Sequence, residues 1–192
     1  MEKRKVLFIV NPASASGHTL ERWKEVTPKL EVANFDYDIK FTEGHGCGVN
    51  FAKEAAITKV YDTLISVGGD GTANEVVNGL ILSEISYDKL PAFTIFPSGT
   101  GSDAVRTLDI PKDMEGFVRM VEANDPKPVD VGIAKFTSDA RNGSRYFLNA
   151  CDVGIGATVA NTVNSMNQDK SKKSGKGKYF RSIMEQVFKL DF

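Results

Sequence analysis

The 192 residues carry 41% hydrophobic and 26% charged content, which excludes collagen-like, low-complexity and disordered chains and leaves room for one full domain or one domain plus part of another. Lys and Arg total 24 against 25 Asp and Glu, and a net charge of −1 offers no global attraction to nucleic acid or to an anionic membrane. Cys47 and Cys151 stand far apart with no CxxC spacing, which excludes a disulfide framework and a structural zinc site and fits a cytoplasmic chain.

Residues 6–10, Val-Leu-Phe-Ile-Val, form a continuous apolar run, too short for a signal segment or a membrane span. It ends at the polar turn Asn11-Pro12-Ala13-Ser14, as a strand buried on both faces of a parallel sheet would. Leu20, Trp23, Val26 or Thr27, and Leu30 then recur at helical spacing, and residues 37–42 alternate like a half-buried strand. A second helix is expected over 49–60, and Thr63-Leu64-Ile65-Ser66-Val67 is a third strand, closed by Gly68-Gly69-Asp70-Gly71-Thr72 and followed by a helix through Leu82. Residues 93–96 make a fourth strand, closed by Pro97-Ser98-Gly99-Thr100-Gly101, with helices expected over 104–108 and 114–123. Strands alternating with helices predict a doubly wound, mostly parallel α/β domain over residues 1–128. Two prolines in Asp125-Pro126-Lys127-Pro128 mark its end. Beyond them, residues 129–136 and 146–153 read as antiparallel strands around the polar turn 138–144, so 129–192 is expected to be an incomplete β-rich second domain.

The glycine cluster at 68–71 sits at the carboxyl end of a predicted strand and just before a helix. There, ligands bind in open α/β sheets, and backbone N–H groups can close on phosphate oxygens. The spacing of Thr72 and Glu75 also fits a capping box, a purely structural reading that stays open beside the first. Asp70 would repel a phosphate unless a cation or a transferred proton intervened, which points to magnesium or acid/base chemistry, or else to a turn carboxylate bonded to its own backbone. A second loop, 97–103, repeats the arrangement, with Thr100 and Asp103 at capping spacing and Arg106 within reach of Asp103. Walker, HRD, DFG, GxGxxG, GxSxG and HExxH patterns are absent. With only His18 and His45, histidine-based hydrolase readings have little support, and His45 reads as a loop residue. Residues 168–181 hold six Lys or Arg against Asp169, a solvated loop or a contact for anionic lipid headgroups.

Together these motifs resemble the catalytic domain of the diacylglycerol kinase family. The likeness rests on Asn11-Pro12 with Ser14, Ser16 and Gly17, on Thr42 with Gly44-His45, on Gly68-Gly69-Asp70-Gly71-Thr72 running into Asn74-Glu75-Val76-Val77-Asn78-Gly79, and on Pro97-Ser98-Gly99-Thr100-Gly101 with Asp103 and Arg106. The resemblance implies an α/β domain followed by a β-sandwich domain, and ATP-dependent phosphorylation of a lipid hydroxyl at a membrane surface. It implies ATP contacts at Asn11, Pro12, Ser14, Thr42, Gly69, Asp70, Gly71, Thr72, Ala73, Asn74, Glu75, Gly99 and Thr100. It makes Asp70 catalytically important and puts Asp103 and Asp130 in a magnesium and water network.

Two departures stand out. Ser102 replaces the family's usual Asn, and the later sandwich strands with their Asp-Gly-Glu segment and acidic base are not found before Leu190-Asp191-Phe192, so a truncated chain with slow transfer is expected. A non-catalytic nucleotide-binding protein and an NAD kinase-type phosphotransferase, which shares the glycine loop, are the alternatives. Unpaired sandwich strands would also favour self-association.

Overall fold

The computed structural model describes residues 3–14, 18–31, 33–97, 103–137, 142–151 and 158. Its elements run β1 (Arg4–Val10), α1 (His18–Leu30), β2 (Phe35–Phe41), α2 (Cys47–Thr58), β3 (Thr63–Val67), α3 (Asp70–Ile81), a short 3-10 turn (Tyr87–Lys89), β4 (Ala92–Phe96), α4 (Asp103–Thr107), α5 (Met114–Ala123), β5 (Gly132–Thr137) and β6 (Asn142–Phe147). Strands β1 to β4 form one all-parallel sheet in the order β2-β1-β3-β4. The doubly wound α/β reading therefore holds.

The apolar run of β1 is continuous because both faces of the sheet are covered. Val6, Phe8 and Val10 enter one core with Trp23 and Leu30 of α1 and Phe117 and Val121 of α5, whereas Leu7 and Ile9 enter a second with Ala52, Ala55 and Ala56 of α2 and Val76 and Leu80 of α3. Period-two alternation along one strand thus feeds two layers. The first core is an aromatic stack, Phe8 to Trp23 at 5.0 Å, Trp23 to Phe96 at 6.1 Å and Phe96 to Phe117 at 5.1 Å between ring centroids. In the second, the buried residues that α2 contributes are all alanines, which lets α2 and α3 approach closely. A Cβ on Gly79 would strike the Val49 carbonyl and come within 2.7 Å of Ala52 Cβ.

The chain divides into two compact units, Met1–Asn149 and Ala150–Phe192. The antiparallel pair β5–β6 lies within the first. Its second strand begins earlier than the sequence suggests. Residues 142–144, read as turn, are strand, with Asn142 opposite Thr137 and Phe147 opposite Gly132. Apolar content had drawn the expected strand towards 146–153. Yet this pairing is held by backbone hydrogen bonds on an exposed ribbon, where burial leaves no pattern to read. The basic segment 168–181 lies outside the described residues, as does the loop 98–102.

Candidate functional site

With strand order β2-β1-β3-β4, the chain leaves β1 towards β2 on one side and returns to β3 on the other. A crevice opens between the carboxyl ends of these strands, the place where open α/β sheets bind ligands. A cavity of about 430 Å³ lies there, lined by Asn11, Ala13 and Ser14 after β1, Thr42, Glu43, Gly44 and His45 after β2, and Gly69, Gly71, Thr72 and Glu75 after β3.

Each wall is fixed by hydrogen bonds that begin in the sheet. Asn11 N–H donates to the Val67 carbonyl at 2.8 Å and Thr42 N–H to the Val10 carbonyl at 2.8 Å, so the three strand ends stay in register as they turn into loops. The Asn11 side chain then joins two walls. Its Nδ2 donates to Thr72 Oγ1 at 3.1 Å, and its Oδ1 accepts from Ala13 N–H at 3.1 Å. Ser14 Oγ donates to the Asn11 carbonyl at 2.8 Å and lies 2.6 Å from Thr19 Oγ1, which ties this loop to the first turn of α1.

Glu75 settles the question of the capping box. Helix α3 starts at Asp70, with Gly69 as its N-cap and no side-chain cap bond, so Thr72 sits inside the first turn and cannot cap it. The Glu75 carboxylate faces the other way. It accepts from Gly46 N–H at 2.9 Å, from Gly48 N–H at 3.0 Å and from His45 Nδ1 at 2.6 Å, closing the N-terminal turn of α2 from a neighbouring helix. An acidic group there satisfies helix N–H groups and the helix dipole together. The capping box is therefore not formed. Sequence spacing had offered a local partner for Glu75, while its partners lie 27–30 residues upstream.

The glycines divide by what surrounds them. At Gly68 a Cβ would meet Thr72 Oγ1 at 2.5 Å, so packing demands glycine there. At Gly69 and Gly71 a Cβ would meet nothing within 4 Å, and neither has a positive φ. Both line the cavity.

Among the residues that the resemblance singles out, Asn11, Ser14, Thr42, Gly69, Gly71, Thr72 and Glu75 come together on this cavity, whereas Pro12, Asp70, Ala73 and Asn74 do not line it. Ala73 is buried in the aromatic core. Asn74 is turned to the β-hairpin, its Nδ2 donating to the Tyr146 carbonyl at 2.8 Å and its Oδ1 accepting from Arg145 Nε at 3.1 Å. Asn78, one turn on and 4% exposed, completes that junction. Its Nδ2 donates to the Tyr146 carbonyl at 2.8 Å and its Oδ1 accepts from Tyr146 N–H at 3.0 Å, as the backbone of a neighbouring strand would. Sequence reasoning assigned no such role to Asn78, although its place one turn after Asn74 on a helix face was a usable signal. Ala13 and Glu43 were missed as well. Gly99 and Thr100 lie outside the described residues.

Asp70 opens α3 with its carboxyl pKa raised, first by desolvation and then by the negative charge of Asp103. Asp103 opens α4 and accepts from Arg106 Nη2 at 2.6 Å, an exposed pair. Hard carboxylate oxygens whose charges repel one another suit a cation such as magnesium. Asp130 is exposed in the connection before β5, and among the described residues no group of three or more His, Cys, Asp or Glu is placed to hold a metal ion. No helix among the described residues is long and apolar enough to cross a membrane.

Fold and cavity together define a doubly wound α/β protein with a glycine-edged ligand cleft at its topological switch point. Residues 5–134 match the diacylglycerol kinase catalytic domain, and the chain belongs to that family. A Staphylococcus epidermidis protein named diacylglycerol kinase is 33% identical over 151 residues, covering 77% of this chain and 42% of its own length. Its Staphylococcus haemolyticus counterpart is 33% identical over 142 residues, covering 74% of this chain and 39% of its own length. The crystal structure of a diacylglycerol kinase from Bacillus anthracis str. Sterne matches with a TM-score of 0.59 at 34% identity, over 78% of this chain and 50% of that one. The chain spans about two fifths of the length of the curated relatives it matches.

Proposed function

We propose that the cavity binds the phosphates of ATP and that this chain supplies the nucleotide half of a lipid kinase, transferring the γ-phosphate to the hydroxyl of a diacylglycerol-like acceptor. The observation that carries the reading is the pair Gly69 and Gly71. Among the described residues nothing requires a glycine at either position, and both border the cavity, where a bare backbone lets a phosphate approach the N–H groups. The Gly69 and Asp70 region begins a twelve-residue helix, whose N–H groups and dipole favour an anion.

Phosphoryl transfer asks a protein chiefly for positioning and charge neutralisation. In this reading, the Asn11–Thr72 bond holds the first loop and the glycine loop as one cradle. Magnesium, when bound, would neutralise phosphate charge beside Asp70 and Asp103, whereas among the described residues Asp130 is not grouped with them to hold a metal ion. The raised pKa of Asp70 suits a carboxyl that awaits a cation or a proton. The diacylglycerol-like acceptor is carried over from the names of the relatives, and peripheral membrane contact is part of the same proposal.

Calorimetric titration of the chain with ATP and magnesium, followed by assay of phosphate transfer to diacylglycerol in mixed micelles and to NAD, tests each part. Binding with transfer to diacylglycerol is the expected result. Transfer to NAD would favour the dinucleotide-kinase alternative, binding without transfer to either acceptor a nucleotide-binding role for this chain alone, and absence of binding would contradict the whole reading.

A further inference from the structure

A polyphosphate entering the cavity faces an electrostatic difficulty. Among the described residues, the titratable side chains lining it are Glu43, Glu75 and His45, and no lysine or arginine is among them. Two carboxylates oppose an anion there. His45 is therefore the one described side chain of the lining that can meet it with positive charge.

Glu75 determines how the ring is presented. Its oxygens already accept one backbone N–H each, from Gly46 and Gly48, and it is only 11% exposed, so the hydrogen between Oε1 and the His45 ring sits on Nδ1. With Nδ1 facing Glu75 at 2.6 Å, Nε2 is the nitrogen left to the outer side of a ring that is 87% exposed. A carboxylate fixing one imidazole nitrogen so that the other serves a ligand is a general way of orienting histidine.

We propose that His45 is a phosphate-contacting residue of this site, oriented by Glu75. On ligand binding the ring takes up one proton from solvent and keeps it on Nε2 in a hydrogen bond to a phosphate oxygen, so that an imidazolium bridges the Glu75 carboxylate and the ligand. The ligand class is a nucleoside di- or triphosphate or a condensed inorganic phosphate, since the contact is made to phosphate and not to base or sugar. The proposal rests on the nucleotide reading given above. It assigns to His45 a role that its place in a glycine-flanked loop, Gly44-His45-Gly46, does not disclose.

The chain has only two histidines, His18 and His45, so nitrogen-15 NMR of the full chain can follow both rings, and His45→Ala identifies which signals belong to which. Separate titrations use ATP, inorganic tripolyphosphate and adenosine. In the free protein the His45 signals should be those of the Nδ1–H form. ATP and tripolyphosphate should move Nε2 to its protonated position, and adenosine should leave it unchanged. His45→Ala, an exposed substitution, should weaken ATP and tripolyphosphate binding at least tenfold and leave adenosine binding unchanged. ATP binding that leaves the Nε2 signal in place, or His45→Ala binding ATP as tightly as the wild type, would overturn the role of His45 while sparing the nucleotide reading. A wild-type chain that binds neither ATP nor tripolyphosphate would remove both.

Discussion

Two regions of α3 use glycine for opposite reasons. Towards its C-terminal end, Gly79 faces α2, where a Cβ would strike the Val49 carbonyl. At its N-terminal end, Gly69 and Gly71 face the cavity, where a Cβ would meet no protein atom within 4 Å. The first glycine is explained by the protein's own packing. No described residue accounts for the other two, and the proposed ligand does. A glycine with ordinary backbone angles and open space is evidence about a ligand, and a glycine against a neighbouring helix is evidence about the fold.

The comparison can be attacked at each end. Gly79→Ala should cost about 1–3 kcal/mol by overpacking, because the obstacle is a backbone carbonyl on a neighbouring helix and not the end of a flexible side chain. Chemical denaturation should show the loss as a lower midpoint with an unchanged slope. A smaller loss, about 1–2 kcal/mol, is expected for Asn78→Ala, which removes the partner of both Tyr146 backbone groups. Hydrogen exchange should show it as opening of β6 while β1 and β3 stay protected. If β1 and β3 open equally, the hairpin is not the separable element that these bonds describe.

The smallest effect lies at the margin of the second core, against which Tyr61 packs. Tyr61 donates to Asp38 Oδ2 at 2.8 Å, and Lys5 Nζ lies 3.0 Å from the same oxygen. Hydrogen bonds from Lys5 and then Tyr61 lower the Asp38 pKa, while desolvation and then Asp38 raise that of Tyr61 to about 12. The signs follow from linkage. The Tyr61 contribution is fully present below its unfolded value near 10 and is lost as pH rises towards 12. The Asp38 contribution is present above the ordinary carboxylate range and is lost as pH falls through its depressed value. Tyr61→Phe should therefore flatten the fall of Tm above pH 10, and a wild-type profile already flat there would contradict the assignment.

Much of this was legible from residues alone, for identifiable reasons. The run from Val6 to Val10 declared a two-faced strand, and the Gly68–Thr72 cluster after β3 declared the loop that borders the cavity. What stayed hidden depended on distant partners. Thr72 and Glu75 had the spacing of a capping box, yet Glu75 closes the start of α2, an encounter set by the α2–α3 packing and not by local sequence. Strand β6 was displaced because an exposed ribbon pairs through its backbone, and the role of Asn78 stayed hidden because its partner is backbone as well.

The most direct test of the central claim is Gly71→Ala, measured by thermal melting and by ATP titration on the same sample. Without ligand, the variant should be as stable as the wild type or more so, by up to about 1 kcal/mol, since alanine is the better helix residue and has open space around it. ATP affinity should fall at least tenfold. A variant that melts at or above the wild-type temperature and still binds ATP with wild-type affinity would contradict the account, for then the bare backbone at Gly71 would serve neither the fold nor the ligand.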